Sequence, residues 1–326
     1  MTEKQKTKHI LADMHTHLHE KKLKPTDWWD EVRKKDLKVV AITEHVEYDP
    51  KGAYEELARE KHQGILLIPG FEAKTSAGHL LVYGKDSSIY DIKPLQKVGV
   101  PIEEALEEVQ KNGLVASFAH PFGYKTDSVC WKLGETKTKS LMKKYGTGCE
   151  YYNGMLGSAN GLIFGTQWVK KLYNFFDFTS KSKLGRALHI ANKSRKLKEN
   201  LEKISKETFQ RVQKGILLSQ NAPFITVGSD AHHTKTIGTA VIELANMPHT
   251  AKEFCEMIKY KKILWAGPNM NSKEPVDRLK KKELLEGLKY ITKKKLQRKI
   301  KKPRITKRIR KKFPKIKKKM KEKLIG

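Results

Sequence analysis

Short apolar runs alternate with amphipathic stretches along residues 9–232, and each run borders a histidine or a carboxylate. Ile10-Leu11-Ala12 stops at Asp13-Met14-His15-Thr16-His17, and the β-branched run Leu37–Ile42 stops at Thr43-Glu44-His45. Ile65–Ile68 leads into Pro69-Gly70-Phe71-Glu72, and Leu80–Tyr83 follows His79 directly. Leu114–Ala119 delivers His120, and Pro223–Val227 delivers Ser229-Asp230-Ala231-His232. Such runs, bounded by turn residues, predict buried strands. Between them lie predicted helices: one capped by Thr26 and running through Trp28, Trp29, Val32 and Lys35, another over Tyr54–Lys61. A third starts at Pro101, carries Glu103 and Glu104 at its positive end, and closes at Asn112-Gly113. Strand, polar residue, helix, strand is the order of parallel βα units. Polar residues gathered after the strands favour a barrel over an open sheet, since barrel enzymes keep their sites at that end.

Two segments break the alternation. Residues from about 155 to 215 are rich in Lys and Arg and carry Leu184, Leu188, Ile190 and Leu197 at roughly helical spacing. They read as a helical insertion, either a substrate grip or an ordinary solvated subdomain. Beyond residue 270, Leu279, Leu284, Leu285, Leu288 and Ile291 recur at helical spacing, and so do Ile305, Ile309, Phe313, Ile316 and Met320. Pro314 would bend or break that second stretch.

Charge sharpens this division. The chain of 326 residues carries +31, and residues 272–326 hold 25 Lys/Arg against 5 Asp/Glu, a net of +20 that leaves +11 for the rest. A basic amphipathic tail suits a polyanion or an anionic lipid surface; the plainer alternative is a solvated Lys-rich extension. A nucleic acid bound through 272–326 would show a binding slope near −0.9 per neutralised phosphate against log salt for duplex DNA. The polar N-terminus carries no apolar stretch of a secretory signal, no run reaches the ~18 apolar residues of a membrane span, and Cys130, Cys149 and Cys255 form no Cys-x-x-Cys pair. A reduced, cytoplasmic protein is the simplest expectation.

The candidate chemistry is metal binding. Imidazole and carboxylate together suit Zn, Mn or Fe. His15 and His17, two apart on an extended segment, point to the same side and can grip one ion. A Glu at a neighbouring strand end can bridge two ions, and ions roughly 3.5–4 Å apart share a hydroxide acidic enough to attack a phosphate ester near neutral pH. Taken singly, His45, His79 and His120 would read as hydrogen-bonded core histidines; six motifs in one context argue otherwise. His62, His189 and His249 lie outside any motif and read as surface residues.

The His-x-His after a short strand, Thr43-Glu44-His45, Pro69-Gly70-Phe71-Glu72, Ala119-His120-Pro121 and Gly228-Ser229-Asp230-Ala231-His232 resemble the PHP (polymerase and histidinol phosphatase) family of metal-dependent phosphoesterases. The resemblance covers roughly residues 8–270 apart from the insertion. It implies an α/β fold, a distorted seven-stranded (β/α) barrel of PHP type here carrying a helical insertion and a basic C-terminal extension. It also implies two or three divalent metal ions. Carried over by position, His15, His17, Glu72 and Asp230 bind the first ion, Glu72 bridges to a second held by His79 and His120, and His45 and His232 belong to a third. Glu72, Asp230 and His120 are the expected catalytic residues. The family supplies an Asp or His about five or six residues beyond the second His, where this chain has Lys22 or Leu23; Glu20 is the first substitute and His19 the next. Glu150 follows a position where the family often has a Glu, and Cys149 beside it is a lesser candidate. His233 could protonate a leaving group. Lys74, Lys125 and Arg186 are candidates for holding phosphate. The expected activity is hydrolysis of a phosphate ester: a nucleotide, a nucleic-acid end, or a small metabolite such as histidinol phosphate. The alternative is a catalytically weak PHP scaffold that binds nucleic acid, ribosome or membrane through its basic tail.

Overall fold

The computed structural model describes residues 9–60, 64–157 and 167–270. The tail and the polyanion binding expected of it lie outside these residues, as does His62. The strands are β1 (Ile10–Thr16), β2 (Leu37–Ile42), β3 (Leu66–Thr75), β4 (Gly78–Tyr83), β5 (Val115–Phe118), β6 (Gly148–Asn153), β7 (Ile225–Gly228), β8 (Ala240–Leu244) and β9 (Ile263–Pro268). The helices are α1 (Pro25–Lys34), α2 (Pro50–Arg59), α3 (Ile102–Lys111), α4 (Val129–Tyr145), α5 (Gln167–Lys181), α6 (Lys183–Ala187), α7 (Ala191–Ser219) and α8 (Ala251–Lys259).

All nine described strands join one sheet in the order β7-β6-β5-β4-β3-β2-β1-β8-β9, curled into a nearly closed barrel. The expected seven strands are therefore corrected to nine. The additional pair is β8 and β9, two short runs paired antiparallel to one another, with β8 also antiparallel to β1. Neither ends on a histidine or carboxylate of the ligand motifs, so the feature that marked the other strands was missing from these.

The parallel reading holds in two blocks, β1-β2-β3 and β5-β6-β7. Between them β4 runs antiparallel to both neighbours. Two residues, Ser76 and Ala77, separate β3 from β4, too few for the crossover a parallel pair requires. β3 also runs on past Ile68, so Glu72 sits within a strand rather than after one. Helix α1 starts at Pro25, one residue before the expected Thr26 cap, because proline at the first helical position is already set for the helix.

Strand alternation divides the core. Val39 and Ala41 of β2 pack with Ala12, Met14, Ile68 and Tyr83 on the inner face. Val40 and Ile42 pack outward with Trp28, Trp29 and Leu57 of α1 and α2. Strands buried on both faces read as continuous apolar runs, which is why they stood out in the sequence.

The barrel closes where β7 returns against β1. The amides of Asp230 and Ala231 donate to the His15 carbonyl at 2.7 and 3.4 Å, and Thr16 forms a bridge with Ala231. Buried Asp13 fastens the join: Oδ1 accepts from Ser229 N at 2.9 Å and His15 N at 3.2 Å, and Oδ2 accepts from Gly238 N at 2.8 Å. Burial raises the Asp13 carboxyl to about 6 against the pull of these donors. Among the described residues no helix is long and apolar enough to cross a membrane.

Candidate metal centre

Strand ends of both parallel blocks converge on Glu72, whose two carboxylate oxygens face different histidines. Oε1 lies 2.6 Å from His79 Nδ1 and 3.1 Å from His120 Nε2. Oε2 lies 3.1 Å from His45 Nδ1, 3.3 Å from His15 Nε2 and 3.6 Å from His17 Nε2. The β3–β4 hairpin explains part of this, since it brings His79 back beside its own partner strand.

Asp230 forms a second focus. Its Oδ1 is 3.3 Å from His17 Nε2, 3.4 Å from His232 Nδ1 and 3.6 Å from His15 Nε2, while Oδ2 accepts from Asn153 Nδ2 at 3.2 Å. Glu20 makes the third: Oε2 lies 2.6 Å from His232 Nε2 and 3.6 Å from His45 Nε2. The structure thus brings together His15, His17, Glu20, His45, Glu72, His79, His120, Asp230 and His232. Among the described residues, three triads have donor atoms within 4.8 Å of one another: His15/His17/Asp230, His45/Glu72/His79 and His17/His45/His232. In the second triad His79 is grouped with His45, whereas positional carry-over paired it with His120.

Several imidazoles are oriented from behind. His15 Nδ1 donates to Glu150 Oε1 at 2.9 Å, and His17 Nδ1 to Glu44 Oε1 at 3.4 Å. His232 Nδ1 donates to the Asp230 carbonyl at 2.9 Å, and His120 Nδ1 lies 3.4 Å from Ser128 Oγ. Each leaves Nε2 turned inward with its lone pair, the arrangement that metal-binding histidines require. Among the described residues His17 Nε2, Glu20 Oε2 and His45 Nδ1 are buried without a well-aligned hydrogen bond, although opposing groups lie 2.6–3.6 Å away. Buried polar atoms without such partners are costly, and these converge on common centres. The donor set therefore fits divalent cations.

The backbone supports the same reading. His120 and Asp230 have φ of +27° and +52°, a region L-residues rarely occupy, and strain of this kind collects at functional sites. Gly228 permits the join of β7 to β1, because a Cβ there would stand 2.3 Å from His15 Cβ and 2.4 Å from its amide nitrogen.

Electrostatics follow from burial among carboxylates. Burial alone would depress His17, but Asp230 and Glu44 outweigh it and lift the imidazole to about 10. The same opposition lifts His120 to about 9, chiefly through Glu72. His45 goes the other way, to about 3, because burial and neighbouring imidazoles outweigh Glu72. The carboxyls of Glu72 and Asp230 are held low by the surrounding histidines despite full burial.

Glu44 carried no assigned role in the sequence reading, since its motif was credited to His45. Its Oε2 accepts from the amides of Leu18, His19 and Glu20 at 2.8, 2.6 and 3.3 Å, which holds the loop presenting Glu20. Asn153 was likewise missed, and only its closeness to Glu150 could have drawn attention. Glu150 is tied to His15 and also accepts from the His120 amide at 2.6 Å. His19 turns away, donating to the Tyr48 carbonyl at 3.1 Å, and Leu23 packs against the outer core. Cys149 is buried in apolar core with its thiol pushed far up, so it faces no chemistry. Lys74 pairs with Glu47, Lys125 lies over the Trp131 ring, and Arg186 is exposed on α6.

Residues 222–263 match the family described as PHP-associated, a stretch that takes in β7, Asp230, His232 and β8. No curated protein matches the chain. Similar solved structures include a two-domain protein containing a predicted PHP-like metal-dependent phosphoesterase from Bacteroides vulgatus, with TM-score 0.47 and 16% identity over 78% of this chain and 64% of that one. PsfC from Pseudomonas syringae aligns with TM-score 0.47 and 14% identity over 77% of this chain and 89% of its own. The lesion-specific endonuclease PfuEndoQ from Pyrococcus furiosus aligns with TM-score 0.46 and 14% identity over 79% of this chain and 58% of that one. The chain spans less than two thirds of the length of the first and third of these. The matched segment carries Asp230 and His232, and the family it matches, described as PHP-associated, is in keeping with the family that the ligand motifs resemble.

Proposed function

We propose that the chain is a metal-dependent phosphoesterase. The observation that carries this reading is Glu72, a buried carboxylate with five imidazole nitrogens set around its two oxygens. Divalent ions at such a centre supply Lewis acidity toward phosphate oxygens and a water acidic enough to serve as nucleophile. His15, His17, Glu72 and Asp230 would hold one ion, and Glu72, His79 and His120 a second. His45, His232 and Glu20 would complete a third. The protein's own part is orientation: Glu150, Glu44, Ser128 and Asn153 fix the ring nitrogens and Asp230. The net charge of +20 over residues 272–326 supports a polyanionic partner or substrate.

The test is phosphate release with Mn²⁺ from small phosphomonoesters and from 5′-phosphorylated oligonucleotides. Asp230→Ala and His120→Ala should each lower release by roughly 100-fold or more while far-UV circular dichroism stays unchanged. Retained activity in both variants would overturn the reading.

A further inference from the structure

Helix α7 lies across the turn that carries His120. Pro121 Cγ is 3.9 Å from where a Cβ on Gly215 would stand, so the helix backbone meets that turn directly. Two cations of α7 reach the aromatic residues there: Arg211 has its guanidinium carbon 6.0 Å from the Trp131 ring centroid, and Lys214 Nζ stands 5.6 Å from that of Phe122. Lys125, from the turn itself, places Nζ 5.5 Å from the Trp131 centroid. Trp131 is 39% exposed although it packs edge-on against Phe122 and donates its indole N–H to the Gly123 carbonyl at 3.2 Å. Arg211 also reaches that carbonyl, at 3.4 Å, and the carboxylate beside it is Glu207, 3.9 Å away on its own helix.

An indole fixed by its own hydrogen bond and left partly open, with two cations over its ring and a third over the adjoining Phe122, offers a stacking surface for a base and charges for the flanking phosphates. The place matters as much as the chemistry. Trp131 is one helical turn beyond Ser128, whose Oγ lies 3.4 Å from His120 Nδ1. Lys125 is exposed and able to swing from the ring to a phosphate, while Arg211 is tethered to the loop.

We propose that Lys125, Trp131, Arg211 and Lys214 form a docking face for single-stranded nucleic acid, one base stacking on Trp131 and the flanking phosphates meeting the three cations. This names the substrate class of the phosphoesterase reading and rests on it for its catalytic meaning, though not for binding. The α7 insertion would then select substrate by leading a strand toward the His120 side of the centre.

The test is fluorescence anisotropy of a labelled, 5′-phosphorylated oligothymidylate on the full chain without added metal, so that the tail contributes equally to every variant. Trp131→Ala should weaken binding roughly 5- to 100-fold, and Trp131→Phe should recover most of the loss. Lys125→Glu and Lys214→Glu, both at exposed positions, should weaken binding and flatten its dependence on salt. Hydrolysis of a small phosphomonoester should be unchanged in the two Trp131 variants and in Lys214→Glu. Wild-type affinity in folded Trp131→Ala together with Lys125→Glu would overturn the proposal. So would an equal loss for a mononucleotide, which would make the face a single-nucleotide pocket. Trp131-dependent binding in a wild-type protein that releases no phosphate from any ester would sink the phosphoesterase reading and leave the docking face standing.

Discussion

Glu150 shows how much of this centre depends on a residue that is not one of the expected ion ligands. One oxygen orients the His15 ring, and the other accepts from the His120 amide and from Asn153 Nδ2, which in turn reaches Asp230. A single buried carboxylate thereby positions expected ligands from β1, from the turn after β5 and from the loop after β7. Glu150→Gln keeps the shape but sets an amide N–H₂ against at least one of these donors. It should weaken divalent-ion affinity roughly 10- to 100-fold, read by isothermal titration calorimetry, and unchanged affinity would count against the role. At this scale the sequence was most legible for residues that combine a reactive side chain with a strand end: every expected ligand is in the cluster. It was least legible for Glu44, Ser128 and Asn153, whose tasks are hydrogen bonds that only the fold brings into reach: Glu44 and Asn153 to partners distant along the chain, Ser128 back across a turn to His120. No local pattern records such a partnership.

The elements were readable where hydrophobic pattern and burial agree. β2 and β5 are buried on both faces and showed as unbroken apolar runs. β6 and β9 did not: Gly148-Cys149-Glu150-Tyr151-Tyr152-Asn153 alternates core and site, and much of β9 is exposed, so neither carries a clear stripe. β7 is only four residues long, and its fit depends on what it lacks. Adding a methyl group at Gly228 drives a Cβ into the β1 backbone at His15, where no flexible atom can move aside. Gly228→Ala should therefore cost about 1–3 kcal/mol or more in denaturant unfolding, by forced displacement of a packed strand. A variant as stable as the parent would show that the two strands stand farther apart than described.

For the whole molecule, the cluster makes stability depend on pH in a way that ions should reverse. Glu72, Glu44 and Asp230 have depressed carboxyls, so without ions their contribution is present above their unfolded values near 4 and lost as acid protonates them. His17 and His120 are raised to about 10 and 9, so theirs is present below about 6.5 and lost as pH climbs through the raised values. Ion-free protein should thus have its highest melting temperature from this cluster at mildly acidic pH. Metal uptake requires those rings deprotonated, so ion-loaded protein should gain stability as pH rises from 6 toward 9 and should release protons on binding. Parallel melting curves with and without Mn²⁺ check both signs, and matching curves would refute them. The centre also sits across the place where the barrel wall meets itself. His15 and His17 hang from β1, and Asp230 and His232 from the loop that comes back to it. An ion gripped by both sides would act as a rivet through a lap joint: it could not leave without loosening the wall, and the wall could not part while it stayed. Retention of the ion and integrity of the barrel would then be a single property, governed by the same opening event.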